Sequence, residues 1–533
     1  MELTRASGIL LHPTSLPSPY GIGDLGQAAY QFIDFLHTSK QTLWQILPLG
    51  PTGYGDSPYA SFSSFAGNPL LISPDLLIKS GDLAPSDLAD VPPFPRDKVD
   101  YSWVIHWKKP LLEKAASMFL GNANQDRKDA FDAFCEKQKD WLDDFALFMA
   151  VKETFDERAK AADLFGKMWS NYWPKDIALR DPEALTHWQR EKQEAIHIQK
   201  VLQFYFFEQW QALRQYANAK HIRIIGDIPI FVAPDSADVW SNRHLFLLDE
   251  AGQSIAVAGV PPDYFSPTGQ LWGNPLYNWQ QMAADKYDWW IKRIQSTLNQ
   301  VDILRIDHFR GFDAYWRIPA DEETAIKGHW VKGPGTSFFE TVSNALGELP
   351  IIAEDLGLIT PSVLTLRDQF ELPGMKVLQF AFSLTDTGEL DGTHPFLPHN
   401  YPEQCVVYTG THDNDTTQGW YEAQPIPIKD IIRRYLARDD HDIAWEFIRL
   451  AFASPARLAI IPLQDVLNLG SEARMNTPST LGTNWAWRYQ PEALSEWASS
   501  RLCEMTMLYG REPHRWQEKE ADPDVEIIDD ADY

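Results

Sequence analysis

Four acidic residues, Asp227, Asp307, Glu354 and Asp413, each come after a short apolar run in the sequence. Runs of that length and composition read as buried strands, which puts the four carboxylates at predicted strand ends. The pattern is clearest in residues 301–311, VDILRIDHFRG. Side chains alternate along a strand, so Val301, Ile303, Arg305 and Asp307 share one face, and Leu304 and Ile306 share the other. An Arg two residues before Asp307 can hold the carboxylate in an ion pair and fix its direction. Taken alone, Arg305-x-Asp307 reads as a structural ion pair. Four separate strands ending in carboxylates are much harder to explain in that way.

Carboxylates converging in a cleft suit glycosidic chemistry. One must be ionised and placed to attack an anomeric carbon. Another must carry a proton for the leaving oxygen, which needs a pKa raised toward ~6–7. Asp307, beside Arg305, fits the first role. Glu354 follows an apolar strand, has no basic neighbour in sequence and has the longer reach, so it fits the second. Asp413, next to His412, can hold sugar hydroxyls and favour an oxocarbenium-like state. The run 412–415, HDND, could instead ligate a hard cation. A phosphate site is disfavoured by the acidic loop after the seventh predicted strand. No P-loop, no dinucleotide fingerprint in strand–turn–helix context and no G-x-S-x-G elbow occur in the chain. Neither a metal nor a cofactor is expected.

The elements that must position these residues follow a βα rhythm. Strands are predicted at 7–11, 42–47, 222–225, 301–307, 349–353, 375–380, 405–409 and 458–461. Between the first two, Leu25, Ala28, Ala29, Phe32, Ile33 and Leu36 repeat with helical period behind Asp24, a candidate cap. Strand, helix and strand at that spacing form a parallel unit. Eight such strands predict a (β/α)8 TIM barrel, whose active site forms at the C-terminal ends of the strands. A barrel needs roughly 250 residues, so about half of the 533 is insertion. The insertions are expected at about 50–220, mostly helical, and at about 228–284, loop-rich. Residues 1–520 are thus read as a single catalytic barrel domain, and the acidic stretch 521–533 as a tail.

Composition narrows the function. The net charge is -27 and no long basic block occurs, which argues against nucleic acid and anionic membranes as partners. The chain is 44% hydrophobic, enough for a large core. The cysteines, Cys135, Cys405 and Cys503, are odd in number and far apart, so neither a disulfide framework nor a zinc cluster is expected. The start of the chain lacks a secretory pattern and no run of 18 apolar residues occurs, so a soluble, cytoplasmic protein is expected. Many of the 21 Trp lie in polar, Gly- and Pro-containing stretches, where flat apolar faces beside polar groups suit sugars. Two loops look built for a polymeric sugar. Residues 50–69, GPTGYGDSPYASFSSFAGNP, carry Tyr54 and Tyr59. Residues 261–275, PPDYFSPTGQLWGNP, carry Tyr264, Phe265 and Trp272.

The stretches PTGYGDSPYASFSSFAGNP, IIGDIPIFV, PPDYFSPTGQLWGNPLYNW, LRIDHFRG, IIAEDLG, TGTHDNDTTQGW and PLQDVLNLGSEARMN resemble the amylomaltases, the 4-alpha-glucanotransferases or disproportionating enzymes. The resemblance runs from about residue 7 to the region of 484–487. It implies a barrel of the α-amylase superfamily with inserted subdomains and no separate C-terminal β-domain. It implies retaining transfer of α-1,4-glucan segments between maltooligosaccharides. Asp307 then matches the nucleophile, Glu354 the general acid/base and Asp413 the transition-state stabiliser. Arg305, His412 and Asp227 match positions that hold the donor glucose and the nucleophile. Trp272 falls in a loop over the acceptor side, Tyr54 in a loop tied to glucan binding away from the cleavage point, and Asn476 in a further loop lining the groove. A retaining glucan hydrolase would use the same three carboxylates, and a non-catalytic glucan-binding protein is the more distant alternative. The oligomeric state is open, monomer and dimer both being compatible.

Overall fold

The computed structural model describes residues 3–161, 167–262, 266–385, 387–480 and 482–512, without the side chains of Tyr54, Glu157 and Arg158. The predicted tail 521–533 lies outside the described residues, as do Tyr264 and Phe265 of the second aromatic loop.

The eight apolar runs form eight parallel strands: β1 (Ala6–Leu10), β2 (Leu43–Gln45), β3 (Arg223–Pro229), β4 (Ile303–Asp307), β5 (Ile351–Ala353), β6 (Gly374–Val377), β7 (Cys405–Tyr408) and β8 (Leu458–Pro462). They pair in the order β6-β7-β8-β1-β2-β3-β4-β5. The Ala353 N–H donates to the Pro373 carbonyl at 2.9 Å, which brings β5 against β6 and completes the ring. The strands are short and nearly all buried, as a parallel sheet covered on both faces requires. Helices pack outside. In α1 (Gln27–Thr38), Ala29, Phe32, Ile33 and Leu36 face inward, and Phe32 meets Trp44 of β2 edge-on at 5.2 Å. The helix starts later than Asp24. Asp24 Oδ1 accepts the Gly26 N–H at 2.8 Å and so orders the turn before the helix.

Between β2 and β3 the chain makes a long helical excursion. It includes Tyr101–Asn122, Gln125–Ala161 and α2 (Gln193–Ala219), the helix that returns to the barrel. Two contacts dock α2 beneath β4. Trp210 Nε1 donates to Gln300 O at 3.0 Å, and Arg214 pairs with Asp302 at 2.6 Å.

Three further elements differ from the sequence expectation. β3 runs on through Pro229, so Asp227 sits inside the strand, opposite Arg305 in register, rather than at its end. β6 stops at Val377, and Leu378–Phe380 turns as a 3-10 helix. The turn lets the Gln379 amide donate to Asp415 O at 2.9 Å, tying it to the loop after β7. Finally, the stretch expected to be loop-rich contains Ala256–Val260 and Gln270–Pro275. These pair antiparallel, and Ala256–Val260 also pairs with Ala314–Pro319, which pairs with His329–Lys332, making a four-stranded sheet beside the barrel mouth. These strands lack clean alternation, and the central pairing of Ala256–Val260 with Ala314–Pro319 joins segments far apart in sequence, so no local pattern announces the sheet. Among the described residues no helix is long and apolar enough to cross a membrane.

Candidate active site

Arg305 is the hub. Its buried guanidinium donates from Nη1 to Asp227 Oδ2 at 2.6 Å and from Nη2 to Asp307 Oδ1 at 3.0 Å. Both partners are within reach because β4 aims Arg305 and Asp307 to one side and β3 sets Asp227 opposite Arg305. Burial alone would lower Arg305. The flanking Asp227 and Asp307 carboxylates outweigh it and hold the guanidinium well above its ordinary value. Asp227 Oδ2 also accepts the Tyr59 hydroxyl at 2.7 Å, which anchors the 50–69 loop to the barrel floor.

Glu354 stands just past β5. Its Oε2 accepts the His308 N–H at 2.6 Å and its Oε1 the Leu356 N–H at 2.8 Å. His308 lies immediately after Asp307 in the left-handed region, with φ 57°, and this turn aims its N–H at Glu354. Burial first, and the Asp307 carboxylate second, push the Glu354 carboxyl up to about 8, against the pull of Arg305 and the two N–H donors. The imidazole of His308 is half-buried at the cleft wall, and desolvation brings its pKa down to about 4 and favours the neutral ring.

Asp413 is carried by the loop after β7. Its Oδ1 accepts the Asn476 amide at 2.7 Å, and its Oδ2 lies 3.4 Å from His412 Nε2. The His412 ring is buried, stacked on Tyr59 at 5.1 Å and tilted against Trp485 at 5.9 Å. Trp272, 38% exposed, meets the His308 ring edge-on at 4.8 Å. Tyr59, Trp272, Asp307, His412, Asp413, Asn476 and Trp485 together line an open cleft of about 730 Å³.

The structure thus brings together Asp227, Arg305, Asp307, Glu354, His412, Asp413, Tyr59, Trp272 and Asn476. The side chain of Tyr54 lies outside the described residues. The side chains of 412–415 diverge. Asn414 Oδ1 accepts the Thr411 N–H at 2.9 Å and Asp415 Oδ2 the Ser471 hydroxyl at 2.7 Å. Among the described residues no group of three or more His, Cys, Asp or Glu is set to hold a metal ion. Sequence reasoning missed His308, Trp485 and Arg474, whose Nη2 donates to Asp413 O at 2.7 Å. His308 and Arg474 sit inside quoted motifs, but neither a left-handed backbone nor a long-range contact to a carbonyl leaves a mark in spacing or periodicity.

A (β/α)8 barrel whose C-terminal rim carries a guanidinium-paired aspartate, a glutamate raised into the neutral range and a third carboxylate has the ground plan of enzymes that act on glycosidic bonds. Within that class the chain belongs to the 4-alpha-glucanotransferase family, whose model matches residues 11–495. It is 52% identical over 512 residues to the 4-alpha-glucanotransferase of Synechocystis sp., covering 95% of this chain and 98% of the relative. It is 50% identical to that of Thermus thermophilus, covering 95% and 99%. Among solved structures, the amylomaltase from Streptococcus agalactiae in complex with acarbose superimposes with a TM-score of 0.90 at 42% identity, covering 95% of this chain and 99% of that one.

Proposed function

We propose that this enzyme transfers α-1,4-glucan segments between maltooligosaccharides, or to glucose, by a retaining double displacement. Asp307 attacks the anomeric carbon of the donor while Glu354 protonates the departing oxygen. The released end leaves, and a glucosyl–Asp307 ester remains. The 4-hydroxyl of a second glucan then attacks the same anomeric carbon, Glu354 takes its proton and the bond to Asp307 breaks, releasing the carboxylate. Asp413 and His412 hold hydroxyls of the sugar whose bond is broken, Tyr59 offers it an aromatic face, and Asp227 supports that donor site from beneath by holding Arg305 and Tyr59. Trp272 and Asn476 flank the groove on which the chains lie, and Tyr54 belongs to a glucan-binding loop further out. Residues 1–520 act as one catalytic unit. The three free thiols, Cys135, Cys405 and Cys503, favour a reducing cytoplasmic location.

The observation that carries this reading is the contrast between two neighbouring carboxyls. Asp307 is paired with Arg305, and Glu354 is pushed up to about 8 beside it. A carboxylate held by a guanidinium beside a carboxyl that keeps its proton is the pairing of attacking group and acid that glycosidic chemistry needs, and transfer between α linkages makes the reaction a retaining one. Incubation with maltotriose tests it. Transfer yields glucose and a ladder of longer oligomers at nearly constant reducing ends. A steady rise in reducing ends would assign a hydrolase instead.

A further inference from the structure

Trp330 lies on His329–Lys332, an outer strand of the four-stranded sheet, and is 40% exposed. One face of its indole is covered by the Arg310 guanidinium, 3.8 Å from the ring centre. Arg310 is itself buried and donates to the Leu358 carbonyl. Trp316 stands against the indole at 5.2 Å and 69°. The ring is therefore locked from beneath and from one side, while much of its surface meets solvent.

Its placement ties it to the cleft. In the sheet register Leu271 opposes Gly259, Gly259 opposes Trp316 and Trp316 opposes Trp330. Directly opposed residues share a face, so Leu271, Trp316 and Trp330 lie on one side. Gly259 leaves that row without a side chain, since a Cβ there would sit 2.2 Å from Gln270 O. Leu271 and Ala325 line the cleft, and Ala325 O accepts the Trp316 Nε1–H at 2.9 Å. The strand of Trp272 and the strand of Trp330 are the two edges of the sheet, three strand spacings or about 14 Å apart. A surface thus leads from the cleft wall past Trp316 to a fixed, exposed indole several sugar lengths away.

We propose that Trp330 is an outlying platform for the acceptor glucan, stacking the apolar C–H face of a sugar that lies beyond those held in the cleft. This rests on the glucan-transfer reading. The negative π face of the indole suits the weakly positive C–H groups of a pyranose. Because Arg310 already fixes the ring, binding there costs little ordering. Only an acceptor long enough to span the sheet reaches it, so Trp330 discriminates by chain length and leaves the chemical step alone.

The test compares wild type with W330A and W330L, with glucose and maltohexaose as acceptors for one fixed donor. Loss of the stacking surface should raise KM for maltohexaose about tenfold, with KM for glucose and both kcat values unchanged. W330L keeps an apolar cover over Arg310 and reports if W330A does not fold, and W330F should restore most of the loss. Equal changes for both acceptors, or none for either, would overturn the proposal. Calorimetric binding of maltohexaose to E354Q and to E354Q/W330L needs no turnover and separates this idea from the transfer reading. Equal affinities there would sink the platform whatever the reaction proves to be, whereas weaker binding to the double variant would support it.

Discussion

Glu354 receives two backbone N–H donors, which favour its charged form, yet its carboxyl stands at about 8 because burial and the adjacent Asp307 outweigh them. An acid is needed in the first half-reaction, so kcat/KM should fall as pH rises through about 8. E354Q should lose activity by a factor on the order of 10² to 10⁴. The same group has a stability signature. Its native pKa lies above the unfolded value of ~4.3, so the native state binds the proton more tightly. The stabilisation from that proton is full below the unfolded value and is lost as pH climbs toward about 8. Gln does not titrate. Urea midpoints of E354Q relative to wild type should therefore rise from pH 5 to pH 8.5, and a constant difference would rule out a raised native value.

At the scale of elements, the close approach of β1 and β2 sets the spacing of the loops that follow them. Gly8 makes it possible, because a Cβ there would fall 2.2 Å from the Leu43 carbonyl oxygen. G8A must push these two strands apart, with no flexible side chain to absorb the shift. A loss of about 2 kcal/mol in urea unfolding is expected, of the size of an overpacked core. Tyr59 reaches Asp227 from the loop after β2, so KM should rise along with the stability loss. An unchanged midpoint would mean that the ring relaxes more easily than its short, buried strands imply. The barrel strands were legible because a strand buried on both faces is mostly apolar, interrupted here only where a partnered polar side chain sits among the apolar ones. The side sheet was not, because AVAGV and QLWGNP lack alternation and AVAGV takes its place from Ala314–Pro319, far along the chain.

For the whole molecule, the end of the barrel opposite the site is closed by two arginines. Arg511 donates to Ala6 O and Phe452 O, both at 3.0 Å, and to Ala456 O at 3.1 Å. Arg5 donates to Phe452 O at 2.6 Å and Tyr509 O at 3.0 Å. Both ends of the described chain are thereby fixed to the connection between the helix Ile443–Ala453 and β8. R511A would strand buried carbonyls and should cost about 3 kcal/mol, seen as a lower melting temperature. Activity at 25 °C should hold, since the site is at the other rim. An activity loss without a melting shift would contradict the division of the barrel into a stabilising end and a catalytic end.

The sequence by itself determined what is local. Apolar runs defined eight strands, alternation within β4 put Arg305 and Asp307 on one side, and long motifs carried the family resemblance. The tertiary structure alone decided what depends on distant parts of the chain. It placed Asp227 inside its strand and opposite Arg305, gave Asp413 its Asn476 partner and turned His308 so that its N–H meets Glu354. It also decided the protonation of Glu354, because desolvation is a property of everything packed around a group, and no window of sequence contains that.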